Sequence, residues 1–443
     1  MVSSFSNLQI IERIAYICAM QLSVIILNYN VRYFLEQCVR SVQAAIQDLD
    51  AEIIVVDNDS SDDSCAMMKS IFPEILLIEN KTNVGFPKGN NIGVAQAKGE
   101  YICILNPDTV VAEDTFTKLF DFVQGKSNVG IVGCQLIDGS GQFLPESKRG
   151  IPTPWVAFTK ITGLYTLFPS WSICTQYYAQ HLLPNQTGKV EILVGAFMFM
   201  RKEVYFEVGG FDEGCFMYAD DIDLSYSVLQ KGYQNWYFAD TTVIHYKGES
   251  TLRDHKYMRR FQEAMQFFYR KHFGQSVFSW FFMLGLRVGA FLFSLQKKKQ
   301  AITHVKPISS YVLVSNQEDL RATLETQLHA PVMRTEDLHI QPGLVNREVL
   351  FDADFISNKN CIAQMKQQSK SGLTFKIKPK NASFILGSNH SNDRGSVMSW
   401  GDLSWKIFAW NLNNSYTNKI YFSIFATNNK KETIGLQLWQ NLN

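Results

Sequence analysis

Between residues 22 and 105 the apolar positions come in short, unbroken runs rather than in alternation. Leu22–Leu27 (LSVIIL), Glu52–Val56 (EIIVV), Ile75–Ile78 (ILLI) and Tyr101–Leu105 (YICIL) are separated by segments of helix length. Short runs rich in Ile, Val and Leu, without a period of two, are the pattern of parallel strands covered on both faces. Joined by right-handed βαβ crossovers they predict a doubly wound α/β half-domain of Rossmann-like character. Ser60 and Ser61, followed by Asp62 and Asp63, favour a helix start through capping and the helix dipole. No G-x-G-x-x-G follows the first run, so the dinucleotide fingerprint is absent. From Val129 to Tyr246 the runs lengthen and gain aromatic residues, which predicts an antiparallel or acceptor-facing half, with Asp138-Gly139-Ser140-Gly141 as a hairpin signal. Lys256–His272 has the spacing of an amphipathic surface helix.

The pattern changes again at Phe278–Leu295 (FSWFFMLGLRVGAFLFSL), which is interrupted by Arg287 and followed by Lys297, Lys298 and Lys299. A core helix fits the apolar content, but the aromatic density and trailing cations favour a helix lying in a membrane interface. It is near the short limit for a span, and a central arginine is costly there. Beyond it, SYVLV, QEDLRATLETQL, EVLFD, a helix around Cys361–Ser369, TFKIK and SFILG repeat a small α/β alternation. Ser388, Asn389, Ser391 and Asn392 after SFILG read as a turn, with a polar-ligand loop as the alternative. The expected organisation is an arm or mis-assigned start over 1–20, a catalytic domain over 21–275, a membrane-associated helix over 276–299 and a C-terminal α/β domain of unassigned role over 305–443. The length, 443 residues, suits two or three such units.

Composition narrows the function. Lys and Arg number 42 against 41 Asp and Glu, a net charge of +1, so no bulk field favours nucleic acid. The eight cysteines (Cys18, Cys38, Cys65, Cys103, Cys134, Cys174, Cys215 and Cys361) form no C-x-x-C and mostly fall in apolar runs, which reads as reduced buried thiols in a cytoplasmic protein. Residues 1–20 lack a clean export signal, because Glu12 and Arg13 break the apolar stretch.

Candidate chemistry clusters at the carboxyl ends of the apolar runs, the edge at which open α/β sheets bind ligands. Asp57 ends the second run; its carboxylate can accept from the N3–H of a uracil or thymine, or else cap the next helix. The segment Asn83-Val84-Gly85-Phe86-Pro87-Lys88-Gly89-Asn90-Asn91-Ile92-Gly93 offers amides and backbone N–H groups at a helix entrance, suited to phosphate and sugar hydroxyls. Asn106-Pro107-Asp108 after the fourth run places Asp108 where it can hold Mg²⁺ or Mn²⁺ against a diphosphate, since such hard cations take few protein carboxylates and keep waters. Asn106 would act through water or the nucleotide. His245, leaving a strand, can complete that site, although a lone histidine is commonly structural. Asp220-Asp221-Ile222-Asp223 opens a helix. The helix dipole alone favours acids there, but three in four residues exceeds that need. Positions 220 and 223 share a face and 221 is turned away by about 100°, so one carboxylate can act as base while another orients.

Taken together, VIILNYN, VVDNDSSDDS, NVGFPKGNN, LNPD, GAFMFMRKEVYFEVGGFDEGCFMYADDIDLSY and HYKGES resemble a family 2 glycosyltransferase with a GT-A fold, nearest its bacterial rhamnosyltransferase-like branch, over roughly residues 21–275. The resemblance implies inverting transfer of a sugar, rhamnose or another hexose, from a dTDP- or UDP-sugar donor. A divalent cation, Mg²⁺ or Mn²⁺, would sit at a D-x-D motif of which only Asp108 remains here. It carries the catalytic base onto Asp221 with Asp220 beside it, and donor binding onto Asn28, Asp57, Asn83, Gly85, Asn90, Asn91 and Asn106, with Asp108 and His245 at the metal. It further implies a lipid-linked saccharide acceptor and a place on the cytoplasmic face of the inner membrane, in cell-surface polysaccharide synthesis. A sugar-nucleotide pyrophosphorylase needs a basic Gly-rich loop that Asn28–Arg32 does not supply, and a processive synthase needs a Q-x-x-R-W-type segment and several spans. The remaining alternative is a catalytically inactive, sugar-nucleotide-binding scaffold.

Overall fold

The computed structural model describes residues 20–153, 178–179, 181–247, 255–274, 308, 310–337, 347–389, 395–400, 419–427 and 433–441. The arm before Met20, the apolar segment 276–299 and the residues Ser391 and Asn392 lie outside them. Among the described residues no helix is long and apolar enough to cross a membrane.

The first four runs form strands β1 (Leu22–Asn28), β2 (Ala51–Asp57), β3 (Leu76–Glu79) and β4 (Tyr101–Leu105), with helices α1 (Arg32–Ala45), α2 (Ser64–Ile71) and α3 (Phe86–Gln96) between them. They pair in parallel in the order β3-β2-β1-β4. β1 and β4 are buried throughout, as runs covered on both faces should be, whereas β3 is partly exposed because it is the sheet edge. Then come β5 (Thr109–Val110), α4 (Thr115–Val123), β6 (Val129–Ile137), β7 (Gly188–Val190), β8 (Phe197–Arg201), α5 (Lys202–Glu207), α6 (Asp220–Gln230), β9 (Gln234–His245) and α7 (His255–Phe273). β8 is inserted antiparallel between β4 and β6, β9 runs parallel to β6, and β5 closes the edge antiparallel to β9. The second half is thus mixed, and the chain reverses at Asp138–Gln142 as the Asp-Gly signal predicts, with the Gly141 N–H donating to Asp138 O at 2.9 Å.

This pairing has one consequence for chemistry. Two antiparallel steps, β4 to β8 and β8 to β6, restore the direction of β4 in β6 and β9. The carboxyl ends of β1, β2, β4, β6 and β9 therefore share one edge with the start of β8. Asn28, Asp57 and His245 close β1, β2 and β9, and Asn106 and Asp108 follow β4. Asn83, Gly85, Asn90 and Asn91 follow β3, which is parallel to β2 and ends on the same edge, and Asp220 and Asp221 open α6.

A second sheet is built from β10 (Ser310–Val314), β11 (Val332–Thr335), β12 (Arg347–Asp352), β13 (Thr374–Lys378), β14 (Phe384–Gly387) and β15 (Ser396–Ser399), with α8 (Glu318–Leu328) and α9 (Asn358–Gln367). Its order is β11-β10-β12-β13-β14-β15, parallel as far as β13. Residues 1–398 form one compact unit. Residues 399–443 form another, in which β16 (Lys419–Thr427) and β17 (Thr433–Asn441) pair as an antiparallel hairpin. Cys38, Cys103, Cys134, Cys215 and Cys361 are buried free thiols and Cys65 is half-buried. Burial pushes Cys38 up to about 12, which leaves it an inert core residue.

Candidate active site

Asn28 and Asp57 are the last residues of β1 and β2 and are register partners. Both are buried. Asn28 Nδ2 donates to Asp57 Oδ2 at 2.8 Å and to Ser60 Oγ at 3.1 Å. Asp57 Oδ1 accepts from the Ser60 N–H at 2.8 Å. Asp57 is therefore not the cap of α2, whose N-cap position is Asp63. The buried Asn28 Oδ1 has no hydrogen-bond partner among the described residues, an acceptor still owed a donor.

The glycine- and asparagine-rich segment enters α3. Gly85 takes φ +86°, and a Cβ there would stand 2.8 Å from Phe216 O, so only glycine fits the turn. Asn83 Oδ1 accepts from the Gly85 N–H and from Asn58 Nδ2, both at 3.0 Å, and so shapes this loop. Asn90 is fully buried; its Nδ2 donates to Phe86 O at 3.0 Å while its Oδ1 has no partner among the described residues. Asn91 is engaged within the protein. Its Nδ2 donates to Phe211 O at 2.9 Å and to Glu213 Oε1 at 3.0 Å, and its Oδ1 accepts from the Tyr205 hydroxyl and the Phe211 N–H. An amide with both ends engaged fastens α3 to the 205–213 loop.

Asp108 and His245 meet across β5 and β9, where Thr109 is the register partner of His245. Asp108 Oδ1 lies 3.4 Å from His245 Nε2, and Asn106 Nδ2 lies 3.4 Å from the same nitrogen. Asp108 and His245 are both buried. His245 Nδ1 has no partner among the described residues. Groups of three or more His, Cys, Asp or Glu that could hold a metal are not found among them. Asp108 and His245 thus bring one carboxylate and one imidazole together at this edge.

The acidic helix start sits one backbone bond away. The Asn106 N–H donates to Ala196 O at 3.0 Å, and the preceding residue, Gly195, donates its N–H to Asp221 Oδ2 at 3.1 Å. The same oxygen receives Arg149 Nη2 at 2.5 Å. Arg149 had no spacing signal in sequence; it lies just past the short turn Pro145–Ser147 and is held there by Lys148, whose buried Nζ donates to Ala179 O and Leu182 O at 2.9 and 2.8 Å. Burial pushes that ammonium below its usual range. Asp220 has different surroundings. It is buried, its Oδ1 lacks a partner among the described residues, and desolvation, then the neighbouring Asp221 charge, raises its carboxyl to about 7. Asp223, on the same face as Asp220, is tied to α7 by His272 Nε2 at 2.6 Å and Lys271 Nζ at 2.9 Å.

Residues 23–209 match the model of "Glycosyl transferase family 2". That segment is a family 2 glycosyltransferase domain, and the protein is a glycosyltransferase. The glycosyltransferase is 25% identical over 244 residues to the N-acetylglucosaminyl-diphospho-decaprenol L-rhamnosyltransferase of Mycobacterium tuberculosis (strain ATCC 25618 / H37Rv), covering 53% of this chain and 78% of that protein. It is 29% identical over 171 residues to the rhamnosyltransferase WbbL of Escherichia coli (strain K12), 37% of this chain and 61% of that protein. Among solved structures, the mannosyltransferase PcManGT from Pyrobaculum calidifontis in complex with GDP-Man and Mn²⁺ gives a TM-score of 0.41 at 16% identity, over 63% of this chain and 76% of that one. A likeness of that size adds nothing to the topology already described.

Proposed function

We propose that the glycosyltransferase transfers a sugar, rhamnose or another hexose, from a dTDP- or UDP-sugar to a lipid-linked saccharide, with inversion and with Mg²⁺ or Mn²⁺ at Asp108 and His245. The observation that carries this is the juxtaposition of Asp108, His245 and Asn106 with Asp221 across the 195–196 backbone. The donor set fits a hard cation that keeps waters and substrate oxygens, and the names of the two rhamnosyltransferase relatives support the sugar and, for the mycobacterial one, a polyprenyl-diphosphate-linked acceptor. When bound, the cation would neutralise the charge of the departing diphosphate.

In this reading the uracil or thymine ring lies against Asp57, with Asn28 holding that carboxylate in place, and Asn90 and Asn106 face the remainder of the donor. Asp221 is the base. Arg149 and the Gly195 N–H grip Oδ2, and Oδ1 carries no hydrogen bond among the described residues. An acceptor hydroxyl bonded to Oδ1 loses its proton there as its oxygen attacks the anomeric carbon and the glycosyl–phosphate bond breaks. Asp220 orients the helix start from the buried side. Cell-surface polysaccharide synthesis at the inner face of the membrane is the setting such an acceptor implies. The test is donor binding: thermal shifts with a panel of nucleotide sugars, with and without Mn²⁺, should give a Mn²⁺-dependent rise for one donor class. Asp108→Ala should abolish that dependence and the transfer; metal-dependent affinity that survives the substitution would overturn the assignment.

A further inference from the structure

The second sheet does not keep its apolar core to itself. Phe351, Cys361 and Met365 belong to the same buried cluster as Val110, Ile244 and Tyr246 of the first sheet. Those three flank the Thr109–His245 register pair, so the residues beside that pair on both chain segments are rooted in the other sheet's core. Packing this close requires bare backbone at the Asp-Gly hairpin. At Gly141, which takes φ +81°, a Cβ would stand 2.0 Å from Met365 O in α9.

The polar joint is more specific. Glu113 lies in the connection from β5 to α4, and its carboxylate straddles the start of α9. Oε1 accepts from the Asn358 N–H at 2.7 Å and Oε2 from the Lys359 N–H at 2.9 Å. Those are amides that a helix cannot satisfy internally, at the end where its dipole favours an anion. From the second sheet's own residues, among those described, the start of α9 is capped by the side chain of Ser357, whose Oγ accepts from the Asn360 N–H at 3.3 Å. Lys359 Nζ then returns to Asp114 at 2.7 Å. Burial alone would raise the Asp114 carboxyl, but Lys359 and Lys118 outweigh it and hold it below its usual range. Charges thus cross the joint in both directions.

We propose that the 310–398 region positions the catalytic centre, and that Glu113 is the positioning residue through which it does so. By fastening the β5–α4 connection to α9, Glu113 holds β5 against β9 and so keeps Asp108 opposite His245. Its importance for catalysis rests on the metal-site reading above; the mechanical coupling does not.

The experiment compares Glu113→Ala with Ser357→Ala in the full-length protein. Both remove a bond from the start of α9, but only the first severs the link between the sheets. Amide hydrogen exchange in peptides covering 105–114 and 240–247 should quicken about tenfold or more in Glu113→Ala and stay near the parent rate in Ser357→Ala. Turnover should fall in the first variant, with the half-saturating Mn²⁺ concentration raised and donor KM changed less. Unchanged exchange in Glu113→Ala, or an equal rise in both variants, overturns the proposal. If exchange quickens as expected while Asp108→Ala retains metal-dependent donor binding, the coupling stands and the metal-site reading fails.

Discussion

Asp220 and Asp221 are consecutive residues in opposite surroundings, and two substitutions separate their roles. Asp221→Asn is nearly isosteric and keeps an oxygen for Arg149 and Gly195, so fold and donor affinity should persist while turnover falls by about a hundred- to ten-thousand-fold, the usual worth of a positioned base. Pre-steady-state turnover beside donor titration checks it, and normal turnover in Asp221→Asn with a dead Asp220→Asn would reverse the assignment. For Asp220 the sign concerns stability. With its carboxyl raised from 3.8 to about 7, the native state keeps a proton that the unfolded chain releases. That contribution is complete below the unfolded value and is lost as pH rises through about 7. Asparagine cannot ionise, so Asp220→Asn should gain stability relative to the parent as pH goes from 4 to 8, read by urea midpoints along the series; a constant difference would count against the raised value. Sequence singled out this pair as candidates from three acids in four residues. Arg149 was invisible, because nothing in the spacing of a lone arginine after a short turn says that it will meet a carboxylate 72 residues on. The partners of Asn91 were hidden for a related reason, since nothing in an asparagine at a helix entrance says that its amide will bond Phe211 and Tyr205.

At the scale of elements, α6 must be held still if its first turn is to present a base. Its apolar positions Leu224 and Val228 are buried in one core cluster, and Ile222 packs with Phe268 and Tyr269 of α7 in another. The polar fastening is Asp223, 2% exposed on its side chain, bonded to His272 and Lys271. Lys271 also reaches Asp212 at 2.7 Å, tying in the glycine-rich loop before α6. Asp223→Ala leaves the buried His272 without its partner, and removing one member of a buried pair costs about 3–5 kcal/mol. A fall of that order in unfolding free energy by urea titration is expected, with the donor-dependent thermal shift retained below the new midpoint; a loss under about 1 kcal/mol would mean that the pair is worth no more than a surface bridge. The strands of this half were legible wherever burial was two-sided: β1, β2 and β4 match their apolar runs to within a residue or so. The order β4-β8-β6-β9-β5 was not legible, because pairing partners are set by contacts far apart in sequence and an apolar run does not name its neighbour.

At the scale of the whole molecule, the apolar runs after residue 305 read as a self-contained unit, yet their core is completed by Val31 and Phe34 at the start of α1 and by Ile244 and Tyr246 at the end of β9. No hydrophobic pattern distinguishes a residue buried by its own sheet from one buried by another. Membrane attachment is argued from sequence, since 276–299 lies outside the described residues. The case rests on Phe278–Leu295 for apolar insertion and on Lys297, Lys298 and Lys299 for attraction to an anionic leaflet. The two contributions separate by lipid. Each lysine near such a surface is worth about 1 kcal/mol, so replacing all three by glutamate should weaken binding to vesicles rich in phosphatidylglycerol by about a hundredfold or more. Binding to zwitterionic vesicles, carried by the aromatic run alone, should change little. Co-sedimentation with both vesicle types measures this. Equal binding of the parent and the charge-reversed protein to the anionic vesicles would remove the electrostatic half of the proposed anchor, and absence of binding by the parent to either type would remove the membrane from the account of how the enzyme reaches the lipid-linked acceptor proposed for it.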